Sequence, residues 1–159
     1  MKLILLYGFI LTLGCTCFAQ KTLNKRSKEI ITSEIKTMFK DYHSAIVKDG
    51  LEAEFKYLDH SDDFFWVPPG YESTLDYKTV KKILLENSKA TDYMEFSWET
   101  IKIFPISNKI ATYSGIVRCV MVDTTNTPMT FRIIESGTLI KRKSGWKFLS
   151  GQSRSLPKK

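Results

Sequence analysis

The sequence is poor in the groups that build metal and redox sites: it has 3 cysteines and 2 histidines in 159 residues. Cys15 and Cys17 fall in the apolar N-terminus, so Cys119 is the only thiol of the remaining chain. One thiol cannot close an internal disulfide. Cys119 sits in the strand-like run Ile116–Val122, which reads as a buried, inert thiol rather than a nucleophile. No cluster of Cys or carboxylates at ligand spacing joins His43 or His60, so neither a metal nor another cofactor is expected. Gly-rich phosphate loops, Gly-x-Ser-x-Gly elbows, internal repeats, low-complexity segments and linkers are all missing. Negative charge is in the minority, with 17 acids against 24 Lys and Arg and a formal net charge of +7. The basic residues are scattered, without a stripe of Arg interleaved with aromatics, which argues for a solvated surface and against nucleic acid. At 43% hydrophobic and 26% charged, the composition is that of a globular chain, not a disordered one.

The only long apolar run is Leu3–Leu13, eleven residues, too short to span a membrane and of signal-peptide length. Cys17-Phe18-Ala19 places small residues at the positions a signal peptidase reads. Residues 1–19 are therefore expected to be a signal peptide cleaved after Ala19, giving a periplasmic or secreted protein that begins at Gln20. Leu13-Gly14-Cys15 supports the alternative of an outer-membrane lipoprotein anchored at Cys15, the one route to a membrane. Residues 20–28 read as a flexible leader, 29–155 as a single domain and 156–159 as a tail.

From Glu29 the period becomes helical. Ile31, Ile35, Met38, Phe39, Tyr42, Ala45 and Ile46 form one face of a long helix ending at Asp49-Gly50. Leu51–Leu58 predicts a short second helix with Phe55 and Leu58 inward. A turn over His60–Asp63 leads to a strand at Phe64–Val67, halted by Pro68-Pro69-Gly70. Asp76 can cap a helix running to Asn87, with Tyr77, Val80, Ile83 and Leu84 inward. Strands follow. Tyr93–Ile106 changes phase between Trp98 and Ile101, so a bulge is expected near Glu99-Thr100. Lys109–Val122 is apolar on both faces, and Met129–Arg142 and Trp146–Ser155 form a hairpin. A three-residue loop, Lys143-Ser144-Gly145, pairs Ile140 with Phe148, Thr138 with Ser150 and Ser136 with Gln152. The alternative loop Ser144-Gly145 would pair Lys141 with Phe148. The plan is α+β, a curved antiparallel sheet wrapped around N-terminal helices.

That order, the segment Asp62–Gly70 and the terminal Gly145-Trp146-Lys147-Phe148 hairpin resemble the nuclear transport factor 2-like superfamily, in its SnoaL-like, ketosteroid isomerase-like branch. The resemblance covers about Ile30 to Ser155. It implies a cone with a central cavity, and a superfamily in which isomerases, cyclases, dehydratases and oligomerisation domains share one fold. In the isomerases the general base precedes a Pro after the Asp-Asp turn; that position here is Pro68, and no acid stands there. Relatives often carry a His-rich final strand, where this chain has Ser150 and Gln152. Asp62 and Asp63 read as turn residues.

On the hairpin register above, Arg132, Ser136, Thr138, Ser150 and Gln152 face the cavity, with Trp66 and Trp98 as walls. These seven are the expected ligand-binding residues, and no catalytic residue is expected. Glu135 and Arg154 read as a surface pair. The leading expectation is an exported domain that binds a small apolar or amphipathic molecule or self-associates; the alternative is a cavity enzyme, an isomerase, lyase or hydrolase. A homodimer is expected through the outer face of the sheet, with Leu139 and Leu149 pointing outward.

Overall fold

Asn24 starts the first helix. In the computed structural model, which describes residues 22–157, its side chain accepts the Ser27 N–H at 2.8 Å. That cap begins α1 at Lys25, so Lys25–Lys28 are helical, a turn earlier than the apolar periodicity alone suggested. α1 (Lys25–Asp49) ends where Gly50, at φ 74°, donates its N–H to the Ile46 carbonyl at 2.9 Å. Its buried face is Ile31, Ile35, Met38, Phe39, Tyr42 and Ile46, as the spacing predicts, with Ala45 half-buried. The signal-peptide and lipobox readings and the last two lysines lie outside the described residues.

A 3-10 turn (Leu51–Lys56) follows, burying Leu51 and Ala53. Leu58 is buried, whereas Phe55 is only half-buried, under the Lys81 ammonium 5.2 Å from its ring centroid. Asp59 then ties the connecting loop to the hairpin. Its carboxylate accepts Nε and Nη2 of Arg142, both at 2.8 Å.

β1 (Phe65–Val67) runs into α2 (Tyr77–Ser88), capped by Asp76 accepting the Thr79 N–H at 2.8 Å. Of the four residues expected inward on α2, Val80 is fully buried. β2 (Thr91–Pro105), β3 (Ile110–Asp123), β4 (Pro128–Arg142) and β5 (Gly145–Ser155) form an antiparallel meander. β1 joins its edge in parallel with β5, giving the order β1-β5-β4-β3-β2 and an open, mixed sheet rather than a wholly antiparallel one. The parallel edge has a local cause. Phe148 N–H donates to the Tyr57 carbonyl and its carbonyl accepts the Asp59 N–H, both at 2.8 Å, so the chain enters β1 already running alongside β5.

The sheet has three register shifts, one at the start of β2 that leaves Asp92 extra between Thr91 and Tyr93, and two bulges further along its strands. The first of these bulges leaves Glu99 extra between Trp98 and Thr100, where the change of phase predicts it. The second lies in β5: Thr138 pairs with Ser150, then Leu139 with Phe148, so Leu149 is extra. The expected partners Ser136–Gln152 and Thr138–Ser150 hold, but Ile140 pairs with Lys147 instead of Phe148. The strands close at Arg142–Gly145, with Gly145 at φ 105° taking the left-handed turn position.

Helices cover the concave face, where Ala111, Tyr113, Val117, Cys119 and Leu139 are each 3% exposed or less. Phe39 centres the contact, with Trp98 and Tyr113 rings at 5.1 and 5.2 Å in edge-on geometry. Two strand glycines let tryptophans lie against the sheet. A Cβ on Gly151 would stand 2.7 Å from the Trp66 ring, and one on Gly115 2.8 Å from the Trp98 ring.

Candidate functional site

A cavity of about 580 Å³ opens between the concave sheet, the 3-10 turn and α2. Its walls are mostly apolar: Met94, Phe96, Met121, Phe131 and Ile133 from the sheet, Ile83 and Leu84 from α2. Two carboxyls are set into that wall, Glu135 from β4 and Glu54 from the 3-10 turn.

Glu135 follows Phe131 and Ile133 at strand spacing, so it points with them into the cone. Tyr113 Oη donates to its Oε1 at 2.6 Å. Ser153 donates to it as well, and Trp66 Nε1 donates to Ser153 Oγ at 2.9 Å. Burial pushes Glu135 up to about 7, with the Tyr113 and Ser153 hydrogen bonds pulling the other way. Glu54 is pushed up to about 8 by burial first and by the charge of Glu135 second, while a hydrogen bond from Tyr42 favours its ionised form. The two carboxyls therefore share a single titration region around neutrality and hold one proton between them there.

The other polar groups facing them are neutral. His43, near Phe96 and Trp98, is lowered to about 4 by burial. Burial raises Tyr42 and Tyr113 well above their ordinary value and Cys119 to about 12, so the thiol is no nucleophile. Trp98 Nε1 is buried and has no hydrogen-bond partner among the described residues.

Of the seven residues expected in the site, Trp66 and Trp98 line the cavity. Arg132, Ser136, Thr138, Ser150 and Gln152 do not. They occupy the opposite face of the sheet, because Phe131, Ile133 and Glu135 take the inward parity on β4 and the Leu149 bulge inverts the parity of β5. Arg132 is engaged there: its Nε lies 2.9 Å from both Glu99 carboxylate oxygens and its Nη2 2.6 Å from Oε2. Glu135 is likewise no surface partner of Arg154, which is exposed and paired in register with Ile134. Pro68 does reach the cavity but brings no acid, so the carboxyls approach from other elements.

A larger, more open depression of about 750 Å³ lies between α1 and the β4–β5 hairpin. Several of its polar groups already satisfy one another: Lys141 Nζ and Trp146 Nε1 both donate to Glu34 Oε2, at 2.6 and 2.9 Å, and Lys147 Nζ donates to the Lys56 carbonyl. The smaller cavity, with its two glutamates, is the chemically equipped one.

No family model and no curated protein matches the sequence. Solved structures do. A nuclear transport factor 2-like superfamily protein from Salmonella enterica aligns at TM-score 0.64 and 14% identity, over 84% of this chain and 93% of that one. A provisionally named scytalone dehydratase from Novosphingobium aromaticivorans gives TM-score 0.68 at 15% identity, over 84% and 89%. A type 2 LinA hexachlorocyclohexane dehydrochlorinase gives 0.65 at 14%, over 84% and 90%. At these identities what is shared is the fold, an α+β cone like that of the nuclear transport factor 2-like protein.

Proposed function

On a nuclear transport factor 2-like cone whose cavity buries two carboxyls, we propose that the protein is an acid–base enzyme acting on a small, largely apolar organic molecule. Glu135 is the proton acceptor and Glu54, holding its proton at neutral pH, the donor. The reaction class is removal of a proton from carbon, as in elimination or isomerisation. The observation that carries the reading is Glu135: a carboxyl inside an apolar wall, oriented by Tyr113 and by the Trp66–Ser153 pair. Desolvation makes such a carboxylate a stronger base, and its two donors fix the direction in which it accepts. That two structural neighbours bear the names of a dehydratase and a dehydrochlorinase fits this class.

The test is exchange of the acidic C–H protons of 2-tetralone, a neutral apolar ketone, into D2O, followed by NMR. The wild-type protein should accelerate exchange, with a rate that rises as Glu135 ionises near pH 7 and falls as Glu54 loses its proton near pH 8. Glu135→Gln should slow it by about 100-fold or more. Exchange that is indifferent to Glu135→Gln sinks the proposal. Binding of the ketone without exchange would favour the second reading, a ligand-binding domain without turnover, which the already satisfied hydrogen bonds of Glu135 also allow.

A further inference from the structure

The chain carries 24 Lys and Arg against 17 acids, yet no Lys or Arg lines this cavity among the described residues. Its ionisable lining is acidic instead: Glu54 and Glu135 within, and Asp123 beside the exposed turn. Asp123 holds that turn, its Oδ1 accepting the N–H groups of Thr125 and Thr127 at 2.9 Å, and is therefore ionised. Every other titratable group packed against the two glutamates is uncharged: Tyr42 and His43 from α1, Tyr113 and Cys119 from β3. A negative charge buried among apolar side chains is costly unless a positive charge meets it. The described residues supply none, in a molecule that has cations to spare. The walls offer aromatic faces as well, from Tyr42, Trp66, Phe96, Trp98 and Phe148, which attract cations.

We propose that the cavity takes an organic ammonium, a protonated amine whose nitrogen sits between Glu54 and Glu135 while its hydrocarbon part lies against Met94, Phe131 and Ile133. This names the substrate class for the acid–base site proposed above and rests on the same carboxyls, with the bound ammonium taking the place of Glu54 as proton donor when the substrate is an amine. The ammonium removes the repulsion that keeps one proton on the pair. Binding therefore leaves two carboxylates beside one cation and sends the carboxyl proton to solvent. Anions are refused, since a further negative charge would join that of the glutamate pair in a site where the described residues offer no counter-ion.

Calorimetry with 2-phenylethylamine, 2-phenylethanol and phenylacetate at pH 7.5, in two buffers of different ionisation enthalpy, tests this on the wild-type protein. The amine should bind at least about 10-fold more tightly than the alcohol, a difference of about 1.4 kcal/mol, with phenylacetate weakest. It should release up to about one proton per molecule bound, and the alcohol none. Glu54→Gln should abolish most of the amine's advantage. If that variant fails to fold, the order of the three ligands and the proton count decide alone. Equal affinity for amine and alcohol, tightest binding of phenylacetate, or no amine binding up to about 10 mM would overturn the proposal. Ketone exchange that depends on Glu135, together with any of those results, would remove the ammonium and leave the acid–base reading standing. Amine preference without ketone exchange would do the reverse.

Discussion

At the scale of single residues, the two glutamates make a statement about stability as well as chemistry. Below the ordinary glutamate range they are protonated in both folded and unfolded chains and cost nothing extra. As pH rises through that range the unfolded chain ionises first, which favours unfolding. The penalty stops growing only when the folded groups ionise, near 7 for Glu135 and near 8 for Glu54. Asp59 works in the opposite sense. Its hydrogen bonds with Arg142 hold its carboxyl below the usual range, so its contribution is present above that range and lost in acid. Stability should therefore peak in mildly acidic solution. Glu54→Gln should raise the urea midpoint at pH 8, by on the order of 3 kcal/mol in free energy, and leave it unchanged at pH 4. An equal change at both pH values would mean that Glu54 is not held protonated by its surroundings. Both glutamates were within reach of the sequence. In Met129–Leu139 the odd positions run Met, Phe, Ile, Glu, Gly, Leu, a more apolar row than the even one, which sets Glu135 on the buried face. Glu54 shares the three-and-four spacing of Leu51 and Leu58. An acid embedded in an apolar row is the informative observation, and weighing Glu135 against its neighbour Arg154 hid it.

At the scale of elements, periodicity and capping carried what is local. The buried face of the long helix, the Asp76 cap, the Gly50 stop and the Glu99 bulge all follow from residues next to one another in the chain. The bulge at Leu149 does not. A bulge in mid-strand shows in sequence only when it shifts a clear apolar phase, as Trp98 to Ile101 does in β2. Phe148-Leu149-Ser150-Gly151-Gln152-Ser153 has no such phase to shift, and one extra residue was enough to turn Ser150 and Gln152 away from the cavity. The parallel pairing of β1 was equally hidden, because it depends on where the loop through Asp59 docks. Gly151 connects this scaffold to the site. With Ala there, the new methyl group would meet the Trp66 ring at 2.7 Å and the Ser136 carbonyl at 2.6 Å, the second of which is backbone and cannot swing aside. Gly151→Ala should cost about 1–3 kcal/mol of stability. It should also shift the tryptophan emission as Trp66 leaves Ser153, and lower the Glu135-dependent exchange rate by loosening Ser153. Unchanged emission and stability would mean that Trp66 does not lie against this glycine.

At the scale of the whole molecule, the sheet has one face under helices and one face open. The expected outward pair, Leu139 and Leu149, does not mark the open face, since Leu139 is fully buried beneath α1. The correct outward row on β3 and β4 places Ile116 directly opposite Ile134, the latter 40% exposed, with Ile110 opposite Ile140 one end along. Between them lie hydroxyl pairs, Thr112 with Thr138 and Ser114 with Ser136. We propose that two copies associate through this face, isoleucine against isoleucine across a two-fold axis, with the serines and threonines supplying the polar contacts that a non-obligate interface carries. A sheet face is self-complementary in this way because the same row meets itself when one copy is rotated onto the other. The open face lies on the other side of the sheet from the carboxyls, so assembly and chemistry should separate experimentally. Light scattering at tens of micromolar should give twice the chain mass. Ile134→Lys should return it to the monomer mass by placing two like charges across the axis, while the exchange of 2-tetralone protons stays at the wild-type rate. A wild-type protein already monomeric at that concentration, or an Ile134→Lys protein that keeps the doubled mass, would refute association through this face.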